Sequence, residues 1–60
     1  MKSIVAARDL AVGNVLTLED LALKKPATGI PPDRMASVID AKLTRALAAD
    51  EQLAINDLEM

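Results

Sequence analysis

Cysteine and histidine are absent from this 60-residue chain, and so are phenylalanine, tyrosine and tryptophan. Without cysteine there is neither a disulfide staple nor a thiolate metal site. Without histidine the chain lacks the commonest metal ligand and the side chain that titrates near neutral pH. Ser3, Thr17, Thr28, Ser37 and Thr44 therefore have no imidazole to activate them, which excludes a nucleophilic triad. With no aromatic ring there is no platform on which single-stranded nucleic acid could stack. A net charge of −2 gives no electrostatic reason to bind a phosphate backbone. No apolar run approaches the ~18 residues of a membrane span. Residues 3–7 resemble the apolar part of a signal peptide but are too short, and Arg8 and Asp9 interrupt them. The chain reads as a soluble single domain over residues 1–60, and its lack of cysteine is compatible with a reducing cytoplasm. A domain of this size buries only about 60% of the surface its unfolded chain exposes, so its core is small.

Glycine and proline are scarce, and their placement is uneven. All three prolines and one of the two glycines fall in residues 24–32, Lys-Lys-Pro-Ala-Thr-Gly-Ile-Pro-Pro. Proline holds φ near one value and donates no N–H. The residues before it, Lys25, Ile30 and Pro31, are pushed towards extended backbone. Gly29 is free to take positive φ. Neither a helix nor a central strand runs through such a segment. It is a shaped crossover entered by two adjacent cations, Lys24 and Lys25, and shaped loops on rigid scaffolds are where binding groups concentrate. The plainer alternative is a linker loop with two solvated lysines.

Around this loop the chain divides into short elements. Residues 3–7, with β-branched Ile4 and Val5, suit a buried strand. Gly13 and Asn14 mark a turn. Thr17 to Asp20 has the spacing of a capping box, which predicts one helical turn over residues 18–21. Extended backbone follows to Lys24. Asp33 is placed to cap a helix starting at Arg34, with Met35, Val38 and Ile39 on one face. Taken alone, the apolar period continues through Leu43 and Leu47 and predicts one long helix over residues 33–49.

An internal repeat argues against that long helix. Shifting residues 6–21 by 37 positions onto 43–58 superposes six identical pairs in sixteen: Arg8 on Arg45, Leu10 on Leu47, Ala11 on Ala48, Leu16 on Leu53, Asp20 on Asp57 and Leu21 on Leu58. The turn at Gly13-Asn14 falls on Asp50-Glu51. A repeated unit adopts one local structure twice. The helix is therefore expected to end near Asp40, a strand to occupy residues 42–47, and a second turn to lie near residues 49–51. Two copies point to interlocked units about a pseudo-two-fold axis.

The nine carboxylates are Asp9, Glu19, Asp20, Asp33, Asp40, Asp50, Glu51, Asp57 and Glu59. Most sit at turns or helix starts, where caps and solvated surface account for them. Asp20 and Asp57, equivalent in the repeat, read as structural caps. Asp50, Glu51, Asp57 and Glu59 have no recognisable metal-ligand spacing. No acid–base pair is buried enough to be tuned for catalysis. The chain reads as a binding or capping module with no catalytic residue and no metal site.

The order Ser-Ile-Val-Ala-Ala-Arg-Asp-Leu at residues 3–10, Gly13, Leu-Thr-Leu-Glu-Asp-Leu at 16–21 and the loop at 24–32 resembles the antifreeze-like SAF domain. Leu53-Ala54-Ile55-Asn56-Asp57-Leu58-Glu59 fits the same pattern. The opening residues are shared with flagellar P-ring and pilus assembly chaperones. The Lys-Lys-Pro-x-x-Gly-Ile-x-Pro loop resembles the C-terminal domain of sialic acid (N-acetylneuraminate) synthases and their pseudaminic and legionaminic relatives. The resemblance implies a mainly β, β-clip fold of short strands and single helical turns about a pseudo-dyad. It also implies a parent transferase that condenses phosphoenolpyruvate with an N-acetylated amino sugar. In that enzyme a separate barrel carries the divalent metal, and this domain caps the barrel of the neighbouring subunit. The family's loop arginine, which reaches the sugar, matches Lys25, with Thr28 and Gly29 shaping the loop and Lys24 solvated. Lysine keeps the charge but loses the planar bidentate fork. Ala27 and Asp40 both stand where the family usually has glycine. The alternative implied by the resemblance is a free-standing module, either an ice-binding protein of the type III antifreeze kind or an assembly-chaperone domain. Neither version involves a membrane, nucleic acid or a cofactor held by this chain.

Overall fold

Ile4 and Val5 lie on an extended run whose four residues are all buried, and this run forms β1 (Ser3–Ala6). It pairs antiparallel with β2 (Leu21–Lys24), with Ser3 opposite Lys24 and Ala6 opposite Leu21. The chain turns at Gly13, whose φ of 87° is open to a residue without Cβ, and makes a single 3₁₀ turn at Leu18–Asp20 before entering β2. The computed structural model describes residues 1–25 and 28–59. Pro26 and Ala27, within the proline loop, lie outside the described residues.

The second half repeats the first. Strands β3 (Lys42–Leu43) and β4 (Leu58–Glu59) pair antiparallel, Leu43 opposite Leu58 just as Ala6 faces Leu21. A second turn carries Asp50 at φ 69°, the partner of Gly13, and a second 3₁₀ turn at Ile55–Asp57 repeats Leu18–Asp20. The halves meet at a dyad where Leu10 and Leu47 exchange backbone hydrogen bonds of 2.8 and 2.9 Å. Off the axis the bonds come in symmetric pairs. Ala6 N–H donates to the Glu51 carbonyl and Leu43 N–H to that of Asn14. Leu53 N–H donates to Ile4 and Leu16 N–H to Ala41. Single bridges at Val5–Gln52 and Val15–Lys42 are likewise mates. Each half supplies strands that the other completes, so the backbone groups of very short strands still find partners.

One core lies between the halves. Ile4, Leu10, Leu16, Leu43, Leu47 and Leu53 are almost fully buried, and Ile30 and Val38 from the crossover join them. Burying a leucine or isoleucine side chain contributes about 1.5–3 kcal/mol, so these positions dominate the stability of so small a domain.

The crossover departs from expectation at its ends. Asp33 is not the helix cap. A 3₁₀ turn at Pro32–Arg34 starts after extended Pro31, and α1 (Met35–Val38) follows it. Proline suits the first helical position, since its φ is preset and the missing N–H would have no partner there, so the helical segment starts earlier than the Asp33 signal. It also stops earlier: Ile39 is already extended and Asp40 takes φ 72°. Aspartate shares asparagine's tolerance for this left-handed region, which lets Asp40 adopt it. The expected strand over residues 42–47 is only Lys42–Leu43. Beyond it the backbone bends so that Arg45 reaches Asp57 and Leu47 reaches the axis.

Candidate functional site: the crossover loop and the groove beside it

Gln52 holds the base of the crossover loop. The Thr28 hydroxyl donates to Gln52 Oε1 at 2.9 Å, and Gly29 lies against the same residue. A Cβ on Gly29 would meet Gln52 Oε1 and the Leu53 carbonyl oxygen, each at 3.3 Å. Gly29 thus serves close approach to Gln52 and Leu53 and does not take positive φ, which corrects the expectation from its residue type. Just beyond, the Ile30 carbonyl accepts from Ile4 N–H at 2.9 Å, which locks the loop's exit onto β1. Thr28 and Gly29 therefore act as the loop's anchor to the second half. Lys25 is exposed and, among the described residues, makes no ion pair. Lys24 is exposed as well but is not simply solvated, because its ammonium pairs with the Asp50 carboxylate.

Beside the anchor lies an open groove of about 630 Å³. Residues 28–31 line it together with Arg34, Ser37 and Val38 of the crossover and Ala54 and Ile55 of the second half. Sequence reasoning missed both Gln52 and Arg34, the loop's anchor point and the groove's cation. The only signal for Gln52 was its alignment with Val15 in the repeat, where a polar residue replaces an apolar one.

The buried carboxylates are structural. Asp20 Oδ2 accepts from Thr17 N–H at 3.0 Å, from the Thr17 hydroxyl at 3.1 Å and from Asn14 Nδ2 at 3.2 Å, while Arg8 binds Oδ1. The Thr17 N–H foremost, with the Asn14, Thr17 and Arg8 side chains behind it, holds the Asp20 carboxyl below its ordinary range despite burial. Asp57 sits in the equivalent place, accepting from Ala54 N–H at 3.0 Å and from Arg45 Nε at 2.7 Å. Arg45 extends this network to Glu51 at 2.9 Å. Asp57 and Glu51 raise the arginine's pKa, and Ala48 N–H, with Arg45 behind it, lowers that of Glu51. These pairs join residues 12 apart in each half and tie both buried aspartates into the scaffold. Among the described residues no group of three or more His, Cys, Asp or Glu side chains could hold a metal ion. Nor is any helix among them long and apolar enough to cross a membrane.

Comparison with known proteins gives this geometry its context. An N,N'-diacetyllegionaminic acid synthase of Legionella pneumophila is 34% identical over 58 residues, 97% of this chain and 16% of that protein. The chain thus spans about a sixth of the length of the curated relative it matches. The solution structure of an antifreeze protein like domain in human N-acetylneuraminic acid phosphate synthase superposes with a TM-score of 0.92. It is 22% identical and matches over 97% of this chain and 75% of that one, a likeness of fold alone. The antifreeze-like fold that the resemblance implies is therefore the fold observed. The family model described as the SAF domain matches residues 2–59, and this chain belongs to that family.

Proposed function

We propose that this chain is the C-terminal cap of a sialic-acid-type synthase, one that condenses phosphoenolpyruvate with an N-acetylated amino sugar. In this reading Lys25 reaches the sugar site of a neighbouring subunit in a cytoplasmic enzyme, and the barrel of that subunit performs the chemistry with its divalent metal. The observation that carries the reading is the contrast within the loop. Thr28 and Gly29 are fixed on Gln52, whereas Lys25 is exposed and unpaired among the described residues. The names of the relatives point the same way. An ammonium on an anchored loop donates to a carbonyl oxygen such as that of an N-acetyl group, and a charge-assisted bond of this kind positions the substrate for attack. The 60-residue chain alone is expected to show no turnover.

The test is steady-state kinetics on the full-length synthase. Lys25→Ala should raise the Michaelis constant of the sugar by about tenfold, the effect of losing one charge-assisted hydrogen bond, with little change in that of phosphoenolpyruvate. Lys25→Arg should retain most of the activity. If Lys25→Ala leaves both sugar constants within about twofold of the parent, less than such a bond provides, Lys25 makes no substrate contact.

A further inference from the structure

Three cations of this domain are bound to carboxylates: Arg8 to Asp20, Lys24 to Asp50, and Arg45 to Asp57 and Glu51. Arg34, like Lys2, Lys25 and Lys42, makes no ion pair among the described residues, and of these four it is the one that lines the groove. The chain has nine carboxylates and a net charge of −2, yet none of its acidic residues lines the groove. The rest of the lining is largely aliphatic, with Ile30, Val38 and Ile55 prominent. An aliphatic surface edged by one free guanidinium is complementary to an aliphatic side chain next to a carboxylate, since arginine presents a planar fork that fits carboxylate oxygens.

Symmetry isolates the feature. Ile55 and its mate Leu18 occupy the same place in the two halves and are similarly exposed, 58% and 66%. Only Ile55 lies beside the crossover, which supplies Arg34 and the facing backbone. Thr28 and Gly29 belong both to the groove and to the loop that carries Lys25, so whatever occupies the groove sits beside that loop. We infer that the groove seats a segment of the neighbouring catalytic subunit that presents a branched aliphatic side chain beside a carboxylate, with Ile55 packing the former and Arg34 holding the latter. This inference rests on the capping reading for the identity of the partner, but its chemistry is independent of Lys25.

The chemistry is tested on the 60-residue chain with two dipeptide probes, N-acetyl-leucyl-glutamate amide and its leucyl-glutamine counterpart, followed by ¹H–¹⁵N shift mapping. The acidic probe should saturate with a Kd on the order of 1 mM, moving amides of residues 28–38 and of Ala54 and Ile55. The glutamine probe should bind about threefold to fivefold more weakly, the range of an exposed ion pair. Arg34→Gln should abolish the difference between the probes. Ile55→Ser should weaken both, whereas Leu18→Ser, the same change at the symmetric position, should weaken neither. Equal binding of the two probes overturns the proposal, as does the absence of saturable shifts in the groove at about 10 mM probe, well above the expected Kd. Concentration-dependent shifts of the same amides without probe would assign the groove to a second copy of this domain, which also overturns it.

The partner is tested in the full-length synthase by replacing Ile55 with the photo-crosslinker p-benzoylphenylalanine and identifying the captured peptide by mass spectrometry. A segment of the neighbouring subunit's barrel containing an aliphatic residue beside Asp or Glu is expected. Capture within the same subunit, or of another cap domain, overturns the inference. Lys25→Ala should leave the probe titration unchanged, so a failed titration alongside an intact Lys25 effect on the sugar would reject the groove and not the capping role.

Discussion

The two halves of this domain share a symmetric set of backbone hydrogen bonds but differ in what surrounds their buried aspartates. In the first half Asp20 is held by Thr17 through both N–H and hydroxyl, by Asn14 and by Arg8. In the second half Ala54 replaces Thr17 and offers only its N–H, while Arg45 grips Asp57 through two nitrogens and reaches Glu51, which stands in Asn14's place. Each half thus meets the same requirement, a satisfied carboxylate on the last residue of a 3₁₀ turn that reaches back to the residue before the turn, with a different set of donors. The requirement belongs to the backbone geometry, and the side chains vary around it. The other difference is coverage. Val15 is half exposed, whereas its mate Gln52 is partly covered because the crossover loop rests on it. Among the described residues the groove and the loop cation Lys25 lie on one side only, an asymmetry set on a symmetric scaffold.

Breaking the symmetry at its centre should have the largest effect. Leu10 and Leu47 are buried at the dyad, and truncating either to alanine should cost about 2–5 kcal/mol. A domain of this length has roughly 3–9 kcal/mol of stability in total, so the double variant should not fold. Chemical denaturation of the two single variants should give similar losses. A loss confined to one of them would mean that the halves do not share the core equally.

The aspartates sharpen the comparison. Asp20→Ala and Asp57→Ala should each destabilise by about 1–2 kcal/mol, the range for losing a capping carboxylate. Their salt and pH responses should differ. Asp20 relies first on a backbone N–H, so raising salt should change the effect of its removal little, whereas removal of Asp57 should matter less as salt screens Arg45. The folded-state pKa of Asp20 is depressed below the ordinary 3.8, so its contribution is fully present above that value. The contribution is lost as pH falls through the lower, folded-state value. Acid denaturation should therefore be shallower below about pH 4 in Asp20→Ala than in the parent, because the titrating group has gone.

The smallest effects should come from the turns. Gly13 sits at φ 87° with nothing within 4 Å of where a Cβ would lie, so Gly13→Ala tests backbone strain alone and should cost about 1 kcal/mol. The reciprocal Asp50→Gly relieves left-handed strain but removes the exposed pair with Lys24, for a net gain of about 0.5 kcal/mol. Thermal melts would report both. If Asp50→Gly destabilises instead, the pair with Lys24 matters more than an exposed ion pair should.

Much of this architecture was legible in advance because its signals are local or periodic. The 37-residue repeat placed the second turn near residues 49–51, where Asp50 has positive φ, and ended the helix near Asp40 against the apolar period, two residues past its observed end at Val38. The prolines kept the described residues 28–31 out of helix and strand, and Thr17 with Asp20 marked the first 3₁₀ turn. These features depend on φ preferences and hydrogen bonds reaching only a few residues, which the order of residues states directly. Two further identities in the repeat, Arg8 on Arg45 and Asp20 on Asp57, kept opposite charges at one spacing in both halves, and that was the available sign of the ion pairs.

Tertiary structure decided the rest. Whether Arg8 would meet Asp20 depended on β1 pairing with β2, and the length of β3 depended on Leu47 having to face Leu10 across the axis. Gly29 looked like a turn residue, but its role came from Gln52 and the backbone of Leu53 lying against it, from the far half of the repeat. Asp33 gave a sound cap signal that lost to the proline before it. The groove was invisible for the same reason as Gln52's anchoring role. It joins a crossover to the far half of a repeat, and only the packing of the two halves around Leu10 and Leu47 brings Arg34 and Ile55 to one surface.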